Sequence, residues 1–259
     1  MRSQSAIKFE HKRNQHSVEG ARAALPILFG GAWLGSVFDL GCGCGTWLKA
    51  FLEMGATDIL GVDGVPMEEK ELLFSKKNFR LHDLREPLLL GRRFDMALCL
   101  EVAEHLDLEH APVIVKSLTV HSDRILFSAA CPNQPGQGHV NCQWPGFWQN
   151  LFNEQGFSCS DSPRWAIWSV EEIEPWYRQN LFTAVKDPDN AGKEPRIPAV
   201  VHPSLIEPIG SQFRKEGARS MQLKVESGGM PLRWYVSRSM GAITKKLFRR
   251  TVCAFESGE

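Results

Sequence analysis

The stretch "VFDLGCGCGTWLKAF", Val37 to Phe51, constrains the fold more than any other part of the chain. Its first residues have the β-branched and aromatic content of a short buried strand. Behind the loop, Trp47, Leu48, Phe51 and Leu52 fall on one helical face, and Gly55 stands where a helix C′ residue would. The order strand, glycine loop, helix aims loop amides and a helix N-terminus at a ligand. Cys42 and Cys44 are two apart, with no Cys-x-x-Cys or Cys/His pair near enough to complete a zinc site by local spacing. They read as small loop residues.

A dinucleotide loop has the pattern G-x-G-x-x-G. Here the glycines are Gly41, Gly43 and Gly45, and Thr46 stands at the third fingerprint position, which weakens a nicotinamide reading. Asp39, directly before the loop, suits a cation better than a pyrophosphate. The next strand, "DILGVDG", ends in Asp63, and a carboxylate at that tip suits the two hydroxyls of a ribose.

The rest of the chain repeats this alternation. "HSVEGARAALPILFGG" reads as a leading helix, and strands are expected near residues 36–40, 58–63, 78–82 and 94–100. "LDLEHAPVIVKSL" is a helix, "DRILFSA" a fifth strand, "PGFWQNLFNEQG" a helix, and "FSCSD" and "NLFTAVK" the candidates for a last strand pair. Strands alternating with helices imply an α/β parallel sheet wound on both faces. "KDPDNAGKEPRIPAVVHP" is rich in Pro, Gly and charge, so the compact domain is expected to end near Lys186. This divides the chain into a flexible basic N-terminus (1–16), the main domain (17–186) and a C-terminal extension (187–259). The 259 residues carry zero formal net charge, so the whole molecule is not an electrostatic nucleic-acid binder. Seven cysteines are too sparse for a disulfide framework, the start has no apolar leader segment, and a reduced, cytoplasmic protein is expected.

"DLGCGCG", "GVDG", "LHDL" and "FDMALCLEVAEHL", in that order and spacing, resemble the class I S-adenosylmethionine-dependent methyltransferases. The resemblance covers about residues 17–186. It implies a Rossmann-like seven-stranded sheet, mostly parallel with an antiparallel last strand, and S-adenosylmethionine as cofactor. By the same resemblance Asp39 and the loop of Gly41, Cys42, Gly43 and Gly45 hold the methionine part, and Asp63 the ribose. Asp83 and Leu84 lie beside the adenine, although Asp83 also reads as a turn residue before "REP". Glu101 is assigned to the edge of the cofactor pocket.

Two segments are expected at the carboxyl edge of the sheet, where such folds bind ligands. One is "LEVAEHL", with Glu101, Glu104 and His105; the other is the long loop "AACPNQPGQGHVNCQWP", with His139. A histidine titrates near neutrality, so His139 or His105 can take a proton from an acceptor hydroxyl, with Glu104 beside them. Glu101-x-x-Glu104-His105 with a distant His139 is also similar to the metal site of small-RNA 2′-O-methyltransferases, and its first part to the O-methyltransferases of ubiquinone synthesis. That likeness makes a divalent ion on Glu101, Glu104, His105 and His139 the alternative to a metal-free base.

"GHVNCQWPGFW" with "WYRQNLF" resembles a bacterial group of methyltransferases of glycan and secondary-metabolite synthesis, which implies a hydroxyl on a sugar or small molecule as acceptor. Trp144, Trp165, Trp168, Trp176 and Tyr177 would then supply aromatic walls, while Trp148 reads as core. An RNA 2′-O-methyltransferase, or a cofactor-binding partner protein without activity of its own, are the alternatives. Residues 231–251 carry six Lys or Arg and no acid, with Val236, Met240, Ile243 and Leu247 on one stripe. Such a helix packs on the main domain, or docks on an anionic membrane or a partner.

Overall fold

The computed structural model of the chain describes residues 9–11, 17–31, 34–227, 229, 231 and 232. Seven strands, β1 (Ser36–Leu40), β2 (Asp58–Asp63), β3 (Phe79–Leu81), β4 (Met96–Leu100), β5 (Arg124–Ser128), β6 (Phe157–Ser160) and β7 (Phe182–Lys186), form one sheet in the order β3-β2-β1-β4-β5-β7-β6. β3, β2, β1, β4 and β5 run parallel, and β7 lies antiparallel between β5 and β6. This is the expected α/β, Rossmann-like sheet, with each expected strand in place.

The helices are α1 (Glu19–Phe29), α2 (Thr46–Glu53), α3 (Ala111–Thr119), α4 (Pro145–Glu154), α5 (Ser162–Ile167), α6 (Pro175–Asn180) and α7 (Pro203–Glu226). The short helices α5 and α6 lie between β6 and β7. The strands show why the sheet is covered on both sides. Along β4, Ala97 and Cys99 enter one core cluster with α3 and α4, while Met96, Leu98 and Leu100 enter another with α1 and α2. A parallel sheet buried on both faces reads as such a continuous apolar run. Phe127 of β5 is a hub of the first cluster, with Trp148, Phe152 and Phe182 rings 5.2–5.3 Å away. Each such ring contributes about 1.5–3 kcal/mol by burial.

The compact unit does not stop near Lys186. Contacts divide the chain into Met1–Gly210 and Ser211–Glu259. Glu194 anchors the segment beyond β7: its Oε1 accepts from Gln149 Nε2 (3.0 Å), Asn153 Nδ2 (2.6 Å) and the Cys159 amide (3.2 Å), and Ile197 is buried in the first core cluster. These side-chain bonds, absent from any composition signal, turn a stretch that reads as linker into part of the domain. Residues 233–259, and with them nearly all of the basic 231–251 stretch, lie outside the described residues. Among the described residues, no helix is long and apolar enough to cross a membrane.

Candidate active site

A cleft of about 330 Å³ opens at the carboxyl edge of the sheet. Its first wall is the β1–α2 connection. Gly41, Gly43 and Gly45 all have positive φ (85°, 52° and 86°), a region that costs an L side chain energy. At Gly41 a Cβ would also overlap the Val102 methyls, so the loop can pass here only as bare backbone. Asp63, at the tip of β2, braces the loop: its carboxylate accepts the Gly43 N–H (2.8 Å) and the Val65 N–H (2.9 Å). His11 Nε2 lies 3.4 Å from the same group, so residues assigned to a separate N-terminus border the cleft. Asp39 is 4% exposed. Burial, helped by the Asp63 charge, pushes its pKa up to about 7. A buried acid in that condition calls for a cationic ligand.

The second wall begins at the end of β4. Glu101 has φ 55°, unusual for a side chain of this size, and its amide bonds back to Ser128 O at 3.0 Å. Its carboxylate accepts from Gln134 Nε2 (2.9 Å) and Asn180 Nδ2 (3.1 Å). One 3-10 turn, Ala103–His105, then carries Glu104 and His105. The loop after β5 docks on that turn: the Val140 and Asn141 amides both donate to Glu104 O, at 2.8 and 3.0 Å. His139 thereby arrives beside His105, with ring centroids 5.0 Å apart.

The electrostatics of this wall follow from burial. Glu104 is 0% exposed, and neither carboxylate oxygen meets a donor among the described residues. Burial, then the Glu101 charge, holds its pKa well above the usual carboxylate range. Burial lowers the His105 pKa to about 4, with the nearby His139 adding to the shift, and burial lowers that of His139 as well. Both rings are therefore neutral at pH 7, with a lone pair for a proton or a cation. His139 Nδ1 donates to Gln134 O at 2.9 Å, which leaves Nε2 as the basic nitrogen.

Asp39, Gly41, Cys42, Gly43, Asp63, Leu84, Glu101, Glu104, His105 and His139 all line the one cleft. Gly45 sits behind it, at the N-cap of α2. Asp83 is not among the lining residues, and its carboxylate is paired with Arg85 in a two-pronged contact (2.9 and 2.7 Å). The order Asp-x-Arg in the sequence carried that signal. Of the four residues of the alternative metal set, Glu104, His105 and His139 offer ligand atoms within 4.8 Å of one another; Glu101 is outside that trio, its carboxylate held by amides beside Glu104. Among the aromatics, Trp176 and Tyr177 line the cleft with Trp47, while Trp165 and Trp168 pack against each other as tilted rings (4.8 Å), and Trp168 likewise against His202 (4.5 Å). Trp148 is core, at 1% exposure. The sequence reading passed over Gln134, Gly136 and Asn180, amide and backbone contributors without a titratable signature.

Among the described residues lining the cleft there is no Lys or Arg. Together with the buried Asp39, this fits a cationic cofactor such as a sulfonium bearing an α-ammonium group. The bare oxygens of Glu104 likewise fit a divalent ion.

Residues 10–122 match the family model described as a methyltransferase domain. Among solved structures, a sugar N-methyltransferase from Streptoalloteichus sp ATCC 53650 is 15% identical, with a TM-score of 0.52, over 68% of this chain and 91% of that one. The magnesium protoporphyrin IX methyltransferase of Synechocystis PCC 6803 is 22% identical, with a TM-score of 0.47, over 66% of this chain and 82% of its own. No significant match was found among curated protein sequences.

Proposed function

We propose that this chain, a class I S-adenosylmethionine-dependent methyltransferase, takes as its acceptor a hydroxyl on a sugar or other small molecule. The observation that carries the reading is the shared cleft. One wall offers the glycine loop with Asp39 and Asp63; the other offers Glu104, His105 and His139 with ligand atoms within 4.8 Å of one another. When bound, the cofactor supplies an electrophilic methyl on a sulfonium and is left as a thioether. Asp39 is the counter-charge for its cationic end, and the two Asp63 oxygens suit ribose hydroxyls. His139 Nε2 accepts the hydroxyl proton as the new C–O bond forms, and Gln134 O keeps the ring in the required tautomer. The lack of Lys and Arg among the described lining residues weighs against a phosphate-rich acceptor, and so against RNA.

A second reading is favoured by Glu104. A wholly buried carboxylate without a donor is costly unless a cation or a proton meets it. Glu104, His105 and His139 would hold a divalent ion, whose chemistry is to acidify an acceptor hydroxyl. Radiolabelled methyl transfer into fractionated extract, with mass analysis of the product, tests the function. Label in an O-methylated small molecule is expected; label confined to RNA, or to nitrogen, sinks the hydroxyl proposal. A chelator separates the two readings: activity lost and restored by a divalent ion selects the metal, and unchanged activity selects the histidine base.

A further inference from the structure

Gln134 lies in the loop after β5 and is 7% exposed. Both ends of its side-chain amide are engaged. Nε2 donates to Glu101 Oε2 at 2.9 Å, while Oε1 accepts from Asn180 Nδ2 at 2.9 Å and Gln179 Nε2 at 3.2 Å. The orientation of this amide is therefore dictated by its neighbours: a flip would set its oxygen against the Glu101 carboxylate and its NH2 against two donors. Asn180, at the end of α6, doubles the grip with its own bond to Glu101 Oε1 at 3.1 Å. Glu101 needs such a grip, because its left-handed backbone persists only where the surroundings over-determine it. The main chain of Gln134 does a second thing, since its carbonyl accepts His139 Nδ1–H at 2.9 Å.

We propose that Gln134, backed by Asn180, is a positioning residue for both walls of the cleft: its side chain aims the Glu101 carboxylate at the cofactor, and its carbonyl holds His139 with Nε2 free for the acceptor. This goes beyond the methyl-transfer reading and rests on it. The two walls are then tied to one residue, and a shift of the loop after β5 moves both together.

The test uses the full chain and S-adenosylhomocysteine as the probe, followed by calorimetry and thermal unfolding. Gln134→Glu and Asn180→Asp replace a donor to Glu101 with an acceptor of nearly the same shape. Each is expected to weaken binding about tenfold or more, the scale of one hydrogen bond to a charged group. Gln179→Met is the control, because Gln179 touches the network but has no bond to Glu101. It is expected to lower Tm and leave affinity alone. In wild type, imidazole nitrogen shifts should show His139 as the Nδ1–H tautomer. Wild-type affinity in both folded variants overturns the role of Gln134; so does an affinity loss in Gln179→Met as large as theirs, which would make the network merely structural. An Nε2–H tautomer overturns the His139 half. Failure of wild type to bind S-adenosylhomocysteine at all would instead remove the cofactor reading, and the positioning role with it.

Discussion

Asp39, the glycine loop and Asp63 come from a single βαβ unit, joined through main-chain amides such as Gly43 N–H to Asp63. Glu104, His139 and Asn180 come from the end of β4, the loop after β5 and the end of α6; the pairing of β4 with β5 joins the first two, and the antiparallel pairing of β7 with β5 brings in the third. The first wall is mostly backbone with two fixed acids. The second is a lattice of side chains, in which Gln134, Gln179 and Asn180 bond to one another and Gln134 and Asn180 bond to Glu101. A backbone wall tolerates little change and binds one thing. A side-chain wall can be rebuilt one residue at a time, which suits a common cofactor facing a variable acceptor.

The sharpest way to break this contrast is His139→Ala. Turnover of the labelled acceptor should fall ~10²–10⁴-fold, the usual effect of losing a general base, while S-adenosylhomocysteine binds as to wild type. Equal loss of both would mean the walls are not separable. Asp63→Ala should do the reverse. It removes an acceptor for the Gly43 and Val65 amides and, on the proposed reading, for two ribose hydroxyls, and calorimetry should show affinity lower by roughly 10²–10⁴-fold, at about 1.5–3 kcal/mol per charge-assisted bond. Gly136→Ala sharpens the picture with a smaller effect. The backbone at 136 is not left-handed, yet a Cβ there would collide with the His139 ring. Rates should drop about 10–100-fold through misplacement alone, with thermal stability little changed.

The smallest effect lies away from both walls, at the Glu194 anchor beyond β7. Burial by itself would raise the Glu194 pKa, but the donors Gln149, Asn153 and the Cys159 amide outweigh it and hold the group at about 2, against an ordinary 4.5. A lowered folded-state value means stability that is present above the ordinary pKa and lost as pH falls through the lowered one. Denaturant midpoints should therefore decline between about pH 4.5 and 2, and that component should be missing in Glu194→Ala, which costs about 1–3 kcal/mol at neutral pH.

The sheet and the first wall were legible because their signals are local. A strand end, three glycines and a helix face lie within fifteen consecutive letters, and Asp63 follows at the tip of the next strand. His105 and His139 were legible because imidazoles announce themselves near strand ends. Asn180 was not: it reads as the start of a strand, and only the antiparallel register of Phe127 with Phe182 brings it to Glu101. The 187–202 stretch misled for the converse reason. Its Pro, Gly and charged letters look like a tether, yet Glu194 and the buried Ile197 pin it down. His202 adds its amide bond to Gln179 at 2.8 Å.

The antiparallel seating of β7 also bears on how such a chain can diversify. Because β6 ends and β7 begins at the same rim as β5, the connection carrying α5 and α6 leaves from and returns to the mouth of the cleft. The connection is packed on that frame as well: Tyr177 meets the Trp47 ring edge-on at 5.2 Å, and Ile167 and Ile173 share a core cluster with α1 and α2. The connection is a visor with fixed hinges: exposed positions such as Trp165, Glu171 and Glu172 can vary and reshape the mouth of the cleft, while Ile167, Ile173 and Asn180 tie it to the frame.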